Sequence, residues 1–259
     1  MSRFDWKSED AYPDAKEADT VDIAWEWLRR DREYQRDYQT LVSSKHAMTD
    51  GFQQQWGCPF AADPQKTFDK QAIFWTPEAL STVLSVREAV CPVVSRRHDL
   101  DVVRLAGGAF RRAPDGWHAI VPLGGANHRL WLRELPPDGS WLTVELPLDS
   151  NFDIRSRAAH RFWSAIERRP LGPAPLALSF PRRQRLILAM RAVDGWLEGN
   201  NYREIAQGLF GRHRVPDRNW KTHDLRGRTI RLVQTGLALM RGGFRALLRH
   251  KRKDRQHTS

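Results

Sequence analysis

The sequence predicts an α+β protein: an N-terminal helical segment and a small antiparallel sheet, followed by a C-terminal helix-turn-helix domain. Three observations carry that expectation. Apolar residues recur at helical spacing near the start, the period switches to two beyond Pro92, and helical spacing returns after Pro147. Charge divides in step with them. Residues 155–259 hold 24 Lys and Arg against 7 Asp and Glu, a balance of +17, whereas residues 1–154 hold 18 against 24, or −6. The net +11 thus conceals an acidic front and a basic rear, and such a field draws a polyanion to one end. A generic solvated basic face, or attraction to an anionic membrane surface, is the alternative; the segregation of sign argues against it.

Four regions are expected: a helical segment (1–40), an α+β domain holding the sheet (41–172), a basic helical domain (173–250) and a loose basic tail (251–259). In the first, Ser8–Tyr12 reads as a turn. Thr20 can cap a helix through Arg30 with Ile23, Trp27, Val21 and Leu28 on its apolar side, and Tyr34 and Tyr38, four apart, continue a second helix. Too short to hold a core alone, this segment should dock on the rest. From Leu41 to Gln71 the pattern is irregular, with Gln53–Phe60 as a packed turn. Phe74–Glu78 reads as a strand-like end. A short helix over Glu78–Leu84 comes next, because Thr76 can cap and Pro77 suits a first helical position.

Strands are expected at Asp101–Leu105, Trp117–Leu123, His128–Leu135 and Trp141–Leu146. Ala113-Pro114-Asp115-Gly116, Leu123–Asn127 and Pro136–Ser140 separate them as hairpin turns. In the third strand Arg129, Trp131 and Arg133 share one face. That face is either a polar nucleic-acid surface with a stacking aromatic or a cover over the sheet. Ile154–Ile166, with Ala158, Phe162 and Trp163, reads as an amphipathic helix ended by the proline-rich run at 170–175.

In the basic domain Ser179 can cap a helix with Pro181 in its first turn and Leu186, Ala189, Met190, Val193, Trp196 and Leu197 facing inward, stopped by Gly199. Asn201 can cap the next, with Glu204 completing a capping box, Ile205, Ala206 and Leu209 inward, and Gly211 as its end. Residues 212–221 form a connector longer than the usual tight turn, which Val215 and Trp220 can pin to the core. A third helix from Leu225 to near Met240 places Leu225, Ile230, Leu232, Val233, Leu237, Leu239 and Met240 in one arc. Gly227, Arg228, Arg231, Gln234, Thr235 and Arg241 fall in the opposite arc. Gly242-Gly243 breaks it before a final turn at 244–249.

Composition excludes several classes. With 41% hydrophobic residues and 11 tryptophans the chain builds real cores. No run approaches the roughly 18 apolar residues of a membrane helix, and the acidic, aromatic start carries no apolar targeting segment, so no membrane role and a cytoplasmic location are expected. Cys58 and Cys91 suit a reducing compartment and make no disulfide framework. His118 and His128 lack metal-ligand companions, Gly107-Gly108 and Gly124-Gly125 lack a phosphate-loop context, and Asp99, Asp101, Ser95 and Cys91 lack a positioned base. No metal, no cofactor and no enzyme activity are expected; a nuclease built from scattered acids, or a recombination accessory protein, is a remote alternative.

The fold reading assigns roles. Arg228, Arg231, Gln234 and Thr235 are the base-reading candidates on the third helix. Arg203, Arg212, Arg214, Arg218, Lys221, Thr222, Arg226 and Arg241 are the phosphate-contact candidates, Thr222 together with free backbone N–H groups at the helix start. Double-stranded DNA is the expected partner. A homodimer, a regulatory protein or RNA polymerase are further partners, met by an acidic front half left free.

Leu171-Gly172-Pro173, Pro181-Arg182-Arg183-Gln184-Arg185-Leu186, Tyr202–Ala206, Leu209–Gly211, Trp220-Lys221, Leu225–Val233 and Met240–Arg245 resemble the DUF2285 family. Trp6–Tyr12, Ala24–Arg30 and Tyr34–Tyr38 are similar to the transcriptional-regulator-like segment (DUF6499) found ahead of it. The resemblance implies a bacterial DNA-binding regulator similar to excision activators of integrative and conjugative elements, with an antiactivator that binds a partner regulator as the close alternative. The family pattern falls on Tyr202, Glu204, Ala206, Trp220, Lys221, Arg226, Arg228 and Arg231.

Overall fold

The computed structural model describes residues 5–44, 50–89, 102, 107, 109–137, 140–216 and 218–249. In chain order it holds α1 (Thr20–Leu28), α2 (Arg32–Ser44), α3 (Asp50–Trp56), β1 (Leu84–Glu88), β2 (Phe110–Ala113), β3 (Gly116–Leu123), β4 (Ala126–Leu132), β5 (Leu142–Glu145), α4 (Phe152–Ile166), α5 (Phe180–Leu197), α6 (Tyr202–Phe210), α7 (Asp224–Ala238) and α8 (Arg245–Leu248). This is the α+β architecture expected: N-terminal helices, a five-stranded sheet and C-terminal helices. Two compact units make it up, residues 1–32 with 178–247 and residues 33–177 with 248–259.

The first unit is assembled from both ends of the chain around α5. Leu186 to Gly195 is buried throughout except half-buried Leu188, because α1, α6 and α7 all pack on this helix. Trp196 and Leu197, expected inward, are exposed instead; Trp196 stacks flat on Tyr202 at 4.8 Å across the reversal at Gly199. Helix α1 is capped one residue earlier than expected, by Asp19. Its carboxylate accepts from the N–H of Val21 and Asp22 at 2.7 and 2.8 Å, and Asp22 reaches back to the N–H of Asp19. Burial covers all of α1 but Asp22, so Glu26 lies inside the fold. Residues 5–32 nevertheless expose Asp5, Glu9, Asp10, Asp14 and Glu17; of their acids only Glu26 and Asp31 are buried. Glu26 is enclosed with Arg29 and Arg30, and Glu9 bonds Arg191 of α5 at 2.6 Å.

The second unit is built on a mixed sheet of order β2-β3-β4-β1-β5. Three of its pairings are antiparallel as expected, but β1 runs parallel to β4. Strand β1 begins at Leu84, the last residue of the segment expected to be helical. Thr76 does cap a turn, its Oγ1 accepting from the N–H of Ala79 at 3.3 Å. β-Branched Thr82 and Val83 then give way to Leu84 and Val86, whose burial alternates. Expected strand Asp101–Leu105 lies outside the described residues save Val102, which is buried in the sheet core. The His128–Leu135 strand is shifted to Ala126–Leu132, because Gly124 and Gly125, at φ +63° and +76°, make a two-residue turn. The first half of the packed turn expected at Gln53–Phe60 is the end of helix α3, and Gly57 at φ +72° follows it.

Ala158 and Phe162 of α4 fill the sheet core with Leu84, Val86, Ala119, Val121, Leu130 and Leu132. Trp163 falls off this stripe and is exposed, with the Arg169 guanidinium 4.5 Å from its ring. On the opposite sheet face Trp131 lies beside His118, and Phe60 packs edge-on against His118. The Trp131 indole nitrogen is inaccessible. Arg129 and Trp131 are half-buried on that face and Arg133 is exposed.

Burial holds both His118 and His128 below the usual histidine range, in His118 against the opposing pull of Asp115 at 3.1 Å. A depressed folded-state value means that the unfolded chain takes up protons first as pH falls. Stability is therefore complete above about pH 6.5 and declines below it, toward the folded-state values. Thermal melts from pH 7.5 to 5 should show this decline, and the double variant His118→Gln/His128→Gln should flatten it. An unchanged pH profile in the variant would refute the assignment.

Candidate nucleic-acid interface

Helix α6 begins at the expected capping box. The Asn201 side chain accepts from the N–H of Arg203 and Glu204, both at 3.0 Å, and Glu204 accepts from the N–H of Asn201 at 2.8 Å. Gly211, at φ +91°, ends the helix. The connector then makes a 3-10 turn at Arg212–Arg214, passes through left-handed Asn219 and makes a second 3-10 turn at Trp220–Thr222. Val215 closes a small core with Ala206 and Leu225, flanked by Phe210 and Trp220, so the two expected pins hold. Pinning matters because it presents the connector's cations outward: Arg212, Arg214, Arg218 and Lys221 are all exposed, as is Thr222.

Helix α7 starts at Asp224. The N–H of Leu225 is engaged by Asp224 Oδ1 at 2.8 Å and by His223 Nδ1 at 3.3 Å, so the first turn already meets a carboxylate of its own. Leu225, Thr229, Leu232, Val233 and Gly236 are buried. Gly236 marks the closest crossing with α5, since a Cβ there would come 2.8 Å from the carbonyl oxygen of Ala189. The opposite face carries Arg228, Arg231 and Gln234, all exposed, with Thr235 half-buried beside them. Arg228 lies over the Phe210 ring at 4.7 Å. The helix yields at the two glycines as expected: Arg241 leaves helical geometry and Gly242 takes φ +98°.

The structure thus gathers Arg228, Arg231, Gln234 and Thr235 on one helix face. Arg212, Arg214, Arg218, Lys221 and Thr222 lie together on the preceding connector, and exposed Arg241 lies past the far end of α7. Arg203 and Arg226 are half-buried, and Arg203 donates to the carbonyl of Pro216 at 3.5 Å, bracing the connector. Sequence reasoning assigned no role to Gln184 and Arg185 of α5. Both are exposed, and with Pro181 and Leu188 they face Arg228, Arg231 and Leu232 across an open groove. The basic run Arg182-Arg183-Gln184-Arg185 was the available signal; the facing of two helices is not in any local pattern.

Among the described residues no group of His, Cys, Asp and Glu is arranged to hold a metal ion. No helix among them is long and apolar enough to cross a membrane. Cys58 is a buried free thiol; Cys91 lies outside the described residues, as does the tail at 251–259.

Residues 145–249, which include α4 to α8, match the family model RovC_DNA-bd, described as a T6SS transcription factor DNA-binding domain. Residues 5–61 match a proteobacterial transcriptional regulator-like domain. No curated protein matches the chain. A DNA-binding domain and a regulator-like domain on one chain indicate a DNA-binding transcriptional regulator.

Proposed function

We propose that the protein is a sequence-specific regulator of double-stranded DNA, acting as a transcriptional activator of a mobile-element gene, with α6 and α7 as a helix-turn-helix of unusually long connector. Arg228, Arg231, Gln234 and Thr235 read base edges. Arg203, Arg212, Arg214, Arg218, Lys221, Thr222, Arg226 and Arg241 hold the backbone. One observation carries the reading: Arg228, Arg231 and Gln234 stand exposed on a single face of α7, inside the segment that matches a DNA-binding family. The mobile-element setting rests on the resemblance to DUF2285.

Arginine pairing to guanine edges is worth about 1–3 kcal/mol of base discrimination, whereas each phosphate contact contributes about 0.9 to the salt slope of log affinity. Arg228→Ala/Arg231→Ala should therefore lower affinity for a selected site roughly tenfold or more while leaving random duplex largely unaffected. Arg212→Ala/Arg214→Ala should weaken both alike and flatten the salt dependence. Selection from random duplexes followed by footprinting at near-physiological salt supplies the site. Equal losses on both duplexes for both pairs would reject the division of roles.

A second reading, an adaptor or antiactivator that binds a partner regulator, draws on exposed Trp196, stacked on half-buried Tyr202, and on neighbouring Leu197. Salt-labile smearing on every duplex, with tight binding to another regulator, would favour it.

A further inference from the structure

In the function proposed above, bases meet α7 and phosphates meet mainly the connector. Helix α5 adds a third element. Pro181, Gln184, Arg185 and Leu188 recur at i, i+3, i+4 and i+7, one face of the helix, and Arg228, Arg231 and Leu232 form the matching face of α7. The groove between them has an apolar floor, buried Leu232 and half-buried Leu188, and basic rims. Among the described residues no carboxylate lines it. Nor do Arg185, Arg228 and Arg231 form an ion pair among those residues. Uncompensated guanidiniums brought around one groove repel each other, and an anion seated among them relieves that repulsion.

We propose that this groove seats a backbone phosphate of the duplex, with Arg185 as its donor from α5 and Gln184 as the neutral hydrogen-bond donor beside it. The proposal rests on the reading that α7 faces DNA. It makes α5 a DNA-contacting helix and gives Arg185 a role indifferent to sequence, next to two residues that discriminate. Charge decides the occupant: a planar guanidinium fork suits phosphate oxygens, and the groove is open, as an extended polymer requires.

Fluorescence anisotropy with the full chain, on the selected site and on random duplex, across about 50 to 200 mM salt, tests this. Arg185→Ala should reduce the salt slope by about 0.9 on both duplexes and leave their affinity ratio unchanged. Arg185→Lys should retain the slope, and Gln184→Glu should weaken both complexes. Both side chains are exposed, so the melting temperature of each variant should match that of the parent. An unchanged slope in Arg185→Ala, or a changed affinity ratio, overturns the phosphate seat. Failure of the parent protein to prefer the selected site would instead overturn the proposed regulator function; the slope comparison on random duplex would still decide the contact at Arg185.

Discussion

Replacing Asp194 with alanine should destabilise the unit built from residues 5–32 and 178–247 by about 3–5 kcal/mol, the cost of removing one partner from a buried ion pair. The Asp194 carboxylate accepts from Arg30 Nε at 3.1–3.2 Å and Nη2 at 3.0 Å, and from the Tyr12 hydroxyl at 2.7 Å. Glu26 holds Arg30 from the other side at 2.9 Å and Arg29 at 2.6 Å. These side chains are almost wholly enclosed, the Arg30 and Asp194 side chains at 3% and 4% exposure. Burial favours loss of the Arg30 proton, but Asp194 and Glu26 outweigh it and hold the group more firmly charged than usual. Burial and then Asp194 hold the Tyr12 hydroxyl protonated, and so a donor. Without Asp194 the buried Arg30 guanidinium loses the carboxylate that takes its Nε and Nη2, and arginine cannot shed its charge. Urea denaturation should show a lowered midpoint, with DNA binding lost in the same range. Asp194→Asn, which keeps an acceptor oxygen, should lose less. A midpoint equal to that of the parent in Asp194→Ala would mean that the network is not formed.

That network also marks where the sequence stops being legible. Local signals were readable. The Asn201–Glu204 capping box, the Gly124-Gly125 turn and the break at Gly242-Gly243 each lie within a few residues, and each appears where expected. The exposure of Arg228, Arg231 and Gln234 is a consequence of helical periodicity alone. Asp194 gave no such signal. Its partners Arg30 and Tyr12 lie 164 and 182 positions away, and a periodic pattern holds no information on which distant residues meet. Strand β1 was lost for a related reason. A capped turn at Thr76 is helix-like for one turn, and pairing with β4 and β5 sets the conformation of Leu84 to Glu88 beyond it. Arg185 was visible as a charge but not as a neighbour of Arg228, since only the packing of α5 on α7 brings them to one groove.

Gly208→Ala should reverse its own sign of effect according to residue 6. An alanine in a helix interior ordinarily stabilises by about 1 kcal/mol over glycine. At position 208 the added Cβ would lie 2.3 Å from Cζ3 and 2.6 Å from Cη2 of the Trp6 indole. The ring has no room to retreat, because a Cβ at Gly195 of α5 would come within 2.9 Å of its Cδ2. Its Nε1 donates to Glu198 at 2.7 Å, and the residue is 2% exposed. Trp6 is thus a flat plate between two glycines on adjacent helices. Gly208→Ala should cost about 1–3 kcal/mol by overpacking, and Trp6→Ala about 3–5 kcal/mol by emptying the slot. In the Trp6→Ala background the same Gly208→Ala change should become stabilising, since the obstacle is gone and the helix preference remains. The resulting coupling, on the order of 2 kcal/mol, is readable in a double-mutant cycle by urea denaturation. Additive effects would place the indole elsewhere. A measured coupling of that size would mean that Trp6, in the regulator-like N-terminal segment, is held against α5 and α6 by shape as well as by its hydrogen bond to Glu198.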